Sequence, residues 1–312
     1  MSIDDTHRIA DAAADNWVDA YAPDRIKPYL KLARADRPIG TWLLLFPCWW
    51  SLALGHIDNG QGWINVWYLA LFAVGAFVMR GAGCTWNDIV DRDYDGRVQR
   101  TALRPIPAGL VTARQALFFA VGLSLIGFLV LIQFNWTTIA IGVASLALVA
   151  AYPFAKRYTF WPQIVLGATF NWGALVGYAA ITGTLEWAAV LLYLGAIAWT
   201  VGYDTIYAHQ DTDDDAMLGL KSSALRLGDM TRPALIGFYG LTLVLWTAAL
   251  LAVDASSAAY LAIAVIGVQF AWQIATLDIA NSANCLVRFK SNRFVGWLLF
   301  AGLVIEILTI QL

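Results

Sequence analysis

Long apolar runs decide what this chain can fold into. Nine of them can be read, at about residues 39 to 57, 63 to 86, 112 to 133, 137 to 155, 163 to 184, 187 to 209, 233 to 253, 257 to 279 and 294 to 311. Each approaches the roughly 20 residues that cross a 30 Å hydrocarbon layer. None alternates apolar and polar residues as a barrel strand would, so the runs predict spanning helices. With 60% of its 312 residues hydrophobic and only 13% charged, the chain has lipid rather than water as its main solvent.

The basic residues supply an orientation, because Lys and Arg are retained on the cytoplasmic side in short loops. All 20 lie before the first run, within or beside the loops that follow runs two, four, six and eight, or at the edge of that side. The opposite turns, near 58 to 62, 134 to 136, 184 to 186 and 254 to 256, hold none. A cytoplasmic N-terminus follows, and nine spans preserve the segregation. Residues 1 to 24 carry Asp4, Asp5, Asp11, Asp15, Asp19 and Asp24 against a single Arg8. That composition suits neither a secretory signal nor a mitochondrial presequence. It reads as a flexible acidic tail ahead of a transmembrane domain over 25 to 312, with 22 to 37 lying along an anionic membrane surface. The expected location is the bacterial cytoplasmic membrane, with the acidic loops on the cytoplasmic side. Cys48, Cys84 and Cys285 stand singly and read as small buried side chains.

Beyond the tail, carboxylates concentrate in two places. One is Asn87-Asp88-Ile89-Val90-Asp91-Arg92-Asp93-Tyr94-Asp95 after run two; the other is Asp211-Thr212-Asp213-Asp214-Asp215 after run six. On a continued helix, Asn87, Asp91 and Asp95 share one face and Asp88 a neighbouring stripe. Asp211 and Asp215 repeat the four-residue spacing, with Asp204 and Tyr207 one to two turns earlier. Like charges so spaced repel, and more strongly beside a low-dielectric membrane. A cation relieves this, and oxygen ligands without His or Cys suit Mg2+ or Ca2+. Acidic loops that merely solvate a surface are the plainer reading, but two features weigh against it. Bases follow each cluster, and the clusters resemble each other: Arg100-Thr101 and Ala102-Leu103-Arg104 are echoed by Lys221-Ser222 and Ala224-Leu225-Arg226. This is the pattern of a duplicated four-helix unit around a shared site. Arg92, Arg97, Arg100, Arg104, Lys156, Arg157, Lys221 and Arg226 border the same mouth, so the expected ligand is anionic. A diphosphate, bridged by metal to the carboxylates and covered by bases, meets the requirement; the apolar bulk suggests a lipid attached to it.

Weaker signals surround these. Pro153 reads as a helix stop, and His209 as a polar cap at a helix end. Asn171 and Glu306 are intramembrane polar groups that are either structural or substrate contacts. Trp49, Trp50, Trp63, Trp67, Trp161, Trp187 and Trp272 read mostly as interfacial anchors.

The stretch NDIVDRDYDGRVQRTALRPIPAG resembles the first aspartate signature, NDxxDxxxD, of the UbiA superfamily of membrane prenyltransferases, and DTDDDAMLGLKSSALRLG resembles its second, DxxxD. Within it, RADRPIGTWLLLFPCWW, YPFAKRYTFWPQIVLG and YDTIYAHQD are similar to the branch that prenylates 4-hydroxybenzoate. The resemblance runs from about residue 30 to the C-terminus. It implies an all-α membrane fold of nine helices around a central cavity, capped by the aspartate loops. It further implies one Mg2+ held by Asn87, Asp91 and Asp95, with Asp88 beside them, and a second by Asp211 and Asp215. Lys156, Arg157 and Lys221 would grip the diphosphate with Arg100 nearby, and Arg34 or Arg37 would pair with the acceptor's carboxylate.

On that reading a polyprenyl diphosphate ionises, and the ring of a small aromatic acid attacks the carbocation ortho to its phenol. The catalytic carboxylates would be Asp91, Asp95, Asp211 and Asp215, with Asp204 or Asp211 drawing off the phenolic proton. Tyr152, Tyr203 and Tyr207 either face the cation or simply pack. Membrane lipids are the remaining expected partner, and nucleic acid is not expected. Homogentisate, naphthoate or haem are alternative acceptors. A transporter with acidic entry rings is the rival class, and would place charges near the bilayer midplane.

Overall fold

The computed structural model describes residues 16–97 and 101–310, and every regular element among them is helical. Two short helices, α1 (Trp17–Tyr21) and α2 (Lys27–Leu32), come first. They are followed by α3 (Ile39–Asp58), α4 (Val66–Asp95), α5 (Ala113–Leu131), α6 (Trp136–Ala151), α7 (Ala155–Tyr158), α8 (Pro162–Phe170), α9 (Gly173–Thr182) and α10 (Trp187–Ala208). The chain closes with α11 (Thr212–Leu218), α12 (Ser223–Leu227), α13 (Thr231–Leu251), α14 (Ser257–Ala275) and α15 (Ser282–Thr309).

Among the described residues, eight helical stretches are long and apolar enough to cross a membrane: Val66–Asp95, Ala113–Leu131, Trp136–Tyr158, Pro162–Thr182, Trp187–Leu218, Ser223–Leu251, Ser257–Ala275 and Ser282–Thr309. They correspond to eight of the expected runs. The first run is α3, a continuous helix of 20 residues that falls outside this set. Trp42, Trp49, Trp50, Pro47 and His56 dilute its hydropathy.

Three boundaries depart from expectation. The run at 163 to 184 is interrupted at Asn171–Trp172, giving α8 and α9. The break is stabilised by Asn171, whose fully buried amide donates to Gly167 O, Ala196 O and Thr200 Oγ1. The last helix starts at Ser282, capped by Asn281, well before the expected 294, and takes Arg288, Lys290 and Arg293 onto its first turns. Residues 17–21, expected within a flexible tail, form α1, whose Val18 is buried and whose Trp17 Nε1 donates to Ala35 O at 3.0 Å. Residues 1–15 lie outside the described part. Pro153 turns the chain through a short 3-10 segment, Tyr152–Phe154, between α6 and α7.

The described residues divide into two compact units, one within the bounds Met1–Thr41 and Ala73–Leu131, the other within Trp42–Phe72 and Ile132–Leu312. In the first unit, Leu32, Val111 and Ala116 form a buried cluster, extended by Tyr29, Ile89, Ile106 and Phe119. Val18, Ala22 and Ala35 form another against Leu30.

The second unit is organised on α10, which packs against α8, α9, α13 and α15. Lipid supplies no hydrophobic drive between spanning helices, so close packing must hold them. Gly195 and Gly202 provide it: a Cβ at either would lie 2.5 Å from the ring of Trp246 or Tyr239 on α13. Trp50, Trp199 and Trp246 meet with ring centroids 5.0–5.9 Å apart. Trp50 is therefore core, not the interfacial anchor it was expected to be, whereas Trp63, Trp67 and Trp187 are exposed. Glu306 is structural: its Oε1 accepts from the Ser256 N–H at 2.5 Å, at the positive N-terminal end of α14.

Candidate active site

In the first unit, α4 runs unbroken to Asp95, so Asn87, Asp91 and Asp95 do fall at four-residue intervals on one helix. Of the motif's four carboxylates only Asp93 is exposed. Asp88 and Asp91 are fully buried and Asp95 is 6% exposed. Buried carboxylates need countercharge, and two arginines supply it. Arg34 donates to Asp88 Oδ1 at 2.6 Å. Arg104 Nη1 reaches Asp88 Oδ1 at 3.3 Å and Asp95 Oδ2 at 2.8 Å. Thr101 Oγ1 adds a bond to Asp95 O at 2.8 Å, fastening the turn after the helix back onto it. The other oxygen of Asp88, Oδ2, is buried with no hydrogen-bond partner.

Arg34 reaches Asp88 from the end of α2 through a special backbone. Its φ is +57°, and the Ala35 N–H bonds back to Leu30 O at 2.9 Å. This is the helix-ending geometry that Gly usually occupies, and a side chain there costs about 1 kcal/mol. The ion pair offsets that cost. Burial disfavours the guanidinium's charge, but Asp88 more than restores it, so its pKa lies above the ordinary arginine value. Arg37, the other expected acceptor contact, pairs with Asp36 at 3.2 Å.

In the second unit the helix does not continue through the motif. α10 ends at Ala208, His209–Asp211 tighten into a 3-10 turn, and α11 starts at Thr212 with Asp211 as its N-cap residue. Asp215 therefore belongs to α11 and Asp211 to the turn that caps it, while Tyr203, Asp204 and Tyr207 belong to α10. The reading that sets Asp204 and Tyr207 one to two helical turns before Asp211 and Asp215 is corrected by this break. The turn is held by His209, whose Nε2 lies 2.9 Å from Thr231 Oγ1. That hydroxyl donates to Gly228 O, so the imidazole is the donor. Asp211, Asp214 and Asp215 are partly exposed and Asp213 is exposed. Tyr203 and Tyr207 pack against the ring of Phe289 on α15, at 5.7 and 4.6 Å between centroids.

Three expected bases are gathered in this unit. Lys156 and Arg157 lie on α7, just after Tyr152 in the 3-10 turn. The Lys221 backbone N–H donates to Lys156 O at 3.0 Å, and its Nζ to Tyr158 O at 3.2 Å, over the ring of Phe160. Arg100 lies outside the described residues. Among those residues no three His, Cys, Asp or Glu side chains form a ready-made metal cluster. The sequence named Arg104 only among the bases at the mouth; its bridging of Asp88 and Asp95 is new, as is the contact of Phe289 with both tyrosines.

Comparison with known proteins identifies the family. The family model described as "UbiA prenyltransferase family" matches residues 44–300. Proteins named "4-hydroxybenzoate polyprenyltransferase, mitochondrial" are 48% identical in Caenorhabditis elegans, covering 91% of this chain and 80% of that one. The Arabidopsis thaliana protein of that name is 45% identical, covering 93% and 71%. The Rattus norvegicus protein is 49% identical, covering 91% and 76%. The solved structure of a UbiA homolog from Aeropyrum pernix K1 shares the fold, with a TM-score of 0.70 at 24% identity, over 84% of this chain and 97% of that one. A UbiA homolog from Archaeoglobus fulgidus, bound to GPP and Mg2+, does so with a TM-score of 0.62 at 17% identity, over 90% and 99%. On the family match and these identities, the chain belongs to the UbiA prenyltransferase family.

Proposed function

We propose, on identities of 45–49% over nine-tenths of the chain, that this membrane enzyme transfers a polyprenyl group from its diphosphate to the ring of 4-hydroxybenzoate, in ubiquinone biosynthesis. The identity to relatives so named is the observation that carries the acceptor. It favours hydroxybenzoate over homogentisate, naphthoate or haem, and the family match replaces the transporter reading.

Magnesium is the proposed cofactor. The donor set is all oxygen, as Mg2+ prefers, and Asp88 Oδ2 is a buried carboxylate oxygen with no hydrogen-bond partner. A site that supplies only a few carboxylates also fits an ion completed by substrate phosphates. Asn87, Asp88, Asp91 and Asp95 would hold one ion, and Asp211 and Asp215 a second. Bound there, magnesium would neutralise charge on the departing diphosphate.

The chain's own residues do the rest. Lys156, Arg157, Lys221 and Arg100 cover diphosphate oxygens. Tyr152, Tyr203 and Tyr207 offer ring faces to an allylic cation, each worth about 1–2 kcal/mol in a dry site. Asp204 or Asp211 takes the phenolic proton; the phenolate activates the ortho and para carbons, and since the carboxyl group occupies the para carbon, substitution falls ortho to that oxygen. Arg34 or Arg37 pairs with the acceptor's carboxylate, each having first to share or leave its present partner, Asp88 or Asp36.

The location is a membrane. The mitochondrial names of the relatives give no support to the bacterial cytoplasmic membrane expected from the acidic N-terminus, so that assignment stays a proposal. The test of function is to incubate membranes bearing the protein with polyprenyl diphosphate, labelled 4-hydroxybenzoate and Mg2+. Lipid-soluble label that disappears with EDTA is expected; absence of labelled lipid would reject the acceptor, and activity in EDTA the metal.

A further inference from the structure

The second unit contains a buried hydrogen-bonded latch with no part in the chemistry above. Ser223, the fully buried first residue of α12, is its hub. The Ser223 backbone N–H donates to Gln163 Oε1 on α8 at 3.3 Å. Its hydroxyl lies 2.6 Å from Thr205 Oγ1 on α10. Thr205 gives its own proton to Val201 O at 2.6 Å, so Ser223 donates and Thr205 accepts. Gln163 and Thr205 are themselves buried, at 3% and 0% exposure.

The latch closes on a functional segment. Lys221 stands two residues before the hub, tied by its backbone to Lys156 and by its ammonium to Tyr158 O. Thr205 stands next to Asp204. The stretch 221–223 is therefore bound on one side to the basic segment that carries Lys156 and Arg157, and on the other to α8 and α10. A buried amide without an acceptor is costly, so this Ser223 N–H has one preferred place to go. An apolar contact would hold the segment equally firmly but would not fix its direction; a hydrogen bond does both.

We propose that Gln163 is a positioning residue for diphosphate binding, setting Lys221 and its neighbours Lys156 and Arg157 through the Ser223 amide. The inference rests on the reading of Lys221 as a diphosphate contact. Losing the latch lets the segment drift, which weakens binding in the ground and transition states alike and raises KM rather than lowering kcat.

The experiment is steady-state kinetics of the full chain in membranes, varying polyprenyl diphosphate at saturating 4-hydroxybenzoate and Mg2+. Gln163→Met should raise KM for the diphosphate by about fivefold, the worth of one neutral hydrogen bond, with kcat nearly unchanged. Gln163→Glu, which keeps an oxygen for the Ser223 N–H, should restore it. Thr205→Val, which removes the other arm at constant shape, should raise KM in the same way and stands in if the Met variant does not fold. Lys221→Ala separates the two claims. If it leaves KM unchanged, the diphosphate reading of Lys221 falls, and the inference with it. If Lys221→Ala raises KM while Gln163→Met and Thr205→Val lower only kcat or thermal stability, the latch is merely structural and the inference is overturned.

Discussion

The two acidic motifs read almost alike as text and are built differently. The first lies on an unbroken helix, with Asp88, Asp91 and Asp95 buried and two arginines, Arg34 and Arg104, bonded to Asp88 and Asp95. The second straddles a helix break, with Asp211 at an N-cap, Asp215 in the first turn of α11, and its carboxylates partly exposed. Burial makes the first motif dependent on its countercharges, since a charge stranded in a low dielectric is expensive. Water relieves the second of that dependence. In the proposed function, the lesson is that one motif would join stability to chemistry, while the other would carry chemistry with little structural consequence.

That contrast can be broken by substitution. The largest effect should follow Asp91→Asn, with activity falling by about 10²–10³, measured as transfer to labelled 4-hydroxybenzoate. Next, Asp88→Asn leaves Arg34 buried against a neutral amide and should destabilise the protein by about 3–5 kcal/mol, read by thermal unfolding in detergent. Adding Arg34→Met to it should recover part of the loss; no recovery would mean the pair is not what couples the motif to the fold. In the second motif, Asp215→Asn should lower activity at least about tenfold while stability stays within about 0.5 kcal/mol. A stability loss equal to that of Asp88→Asn would erase the distinction.

The smallest effect lies at the surface of the first unit. Burial pushes the Asp19 carboxyl up, but the Lys31 ammonium, 2.7 Å away, and Asn16 outweigh it and hold it below the ordinary range. Its contribution is thus present above the unfolded carboxylate value of about 3.9 and lost as pH falls through the lower folded one. A partly exposed pair of this kind, screened by solvent, is worth about 0.2–1 kcal/mol, so Asp19→Asn should flatten the acid limb of the stability curve only slightly.

What was legible in the sequence is what repeats locally. Apolar runs mark spanning helices because each residue is read against its own neighbours, and the four-residue spacing on α4 holds because that helix continues. The break at Asn171 was not legible, since its amide is satisfied by Ala196 and Thr200 on another helix. Nor was the role of Arg34, whose partner Asp88 is 54 residues away; the Arg at a position favouring Gly was the available signal. The early start of α15 was hidden because its first turns are polar and its cap, Asn281, is an ordinary loop residue by composition. Gln163 reads as one polar residue in an apolar run until Ser223 is seen beside it.

The central proposal is that the carboxylates of both motifs act in the one transfer reaction. The direct measurement is the activity of the double variant Asp91→Asn with Asp215→Asn beside each single one, all at saturating Mg2+. Groups that act as a unit give losses that do not multiply, so the double variant should be little worse than Asp91→Asn alone. A double loss equal to the product of the two single losses would contradict the account.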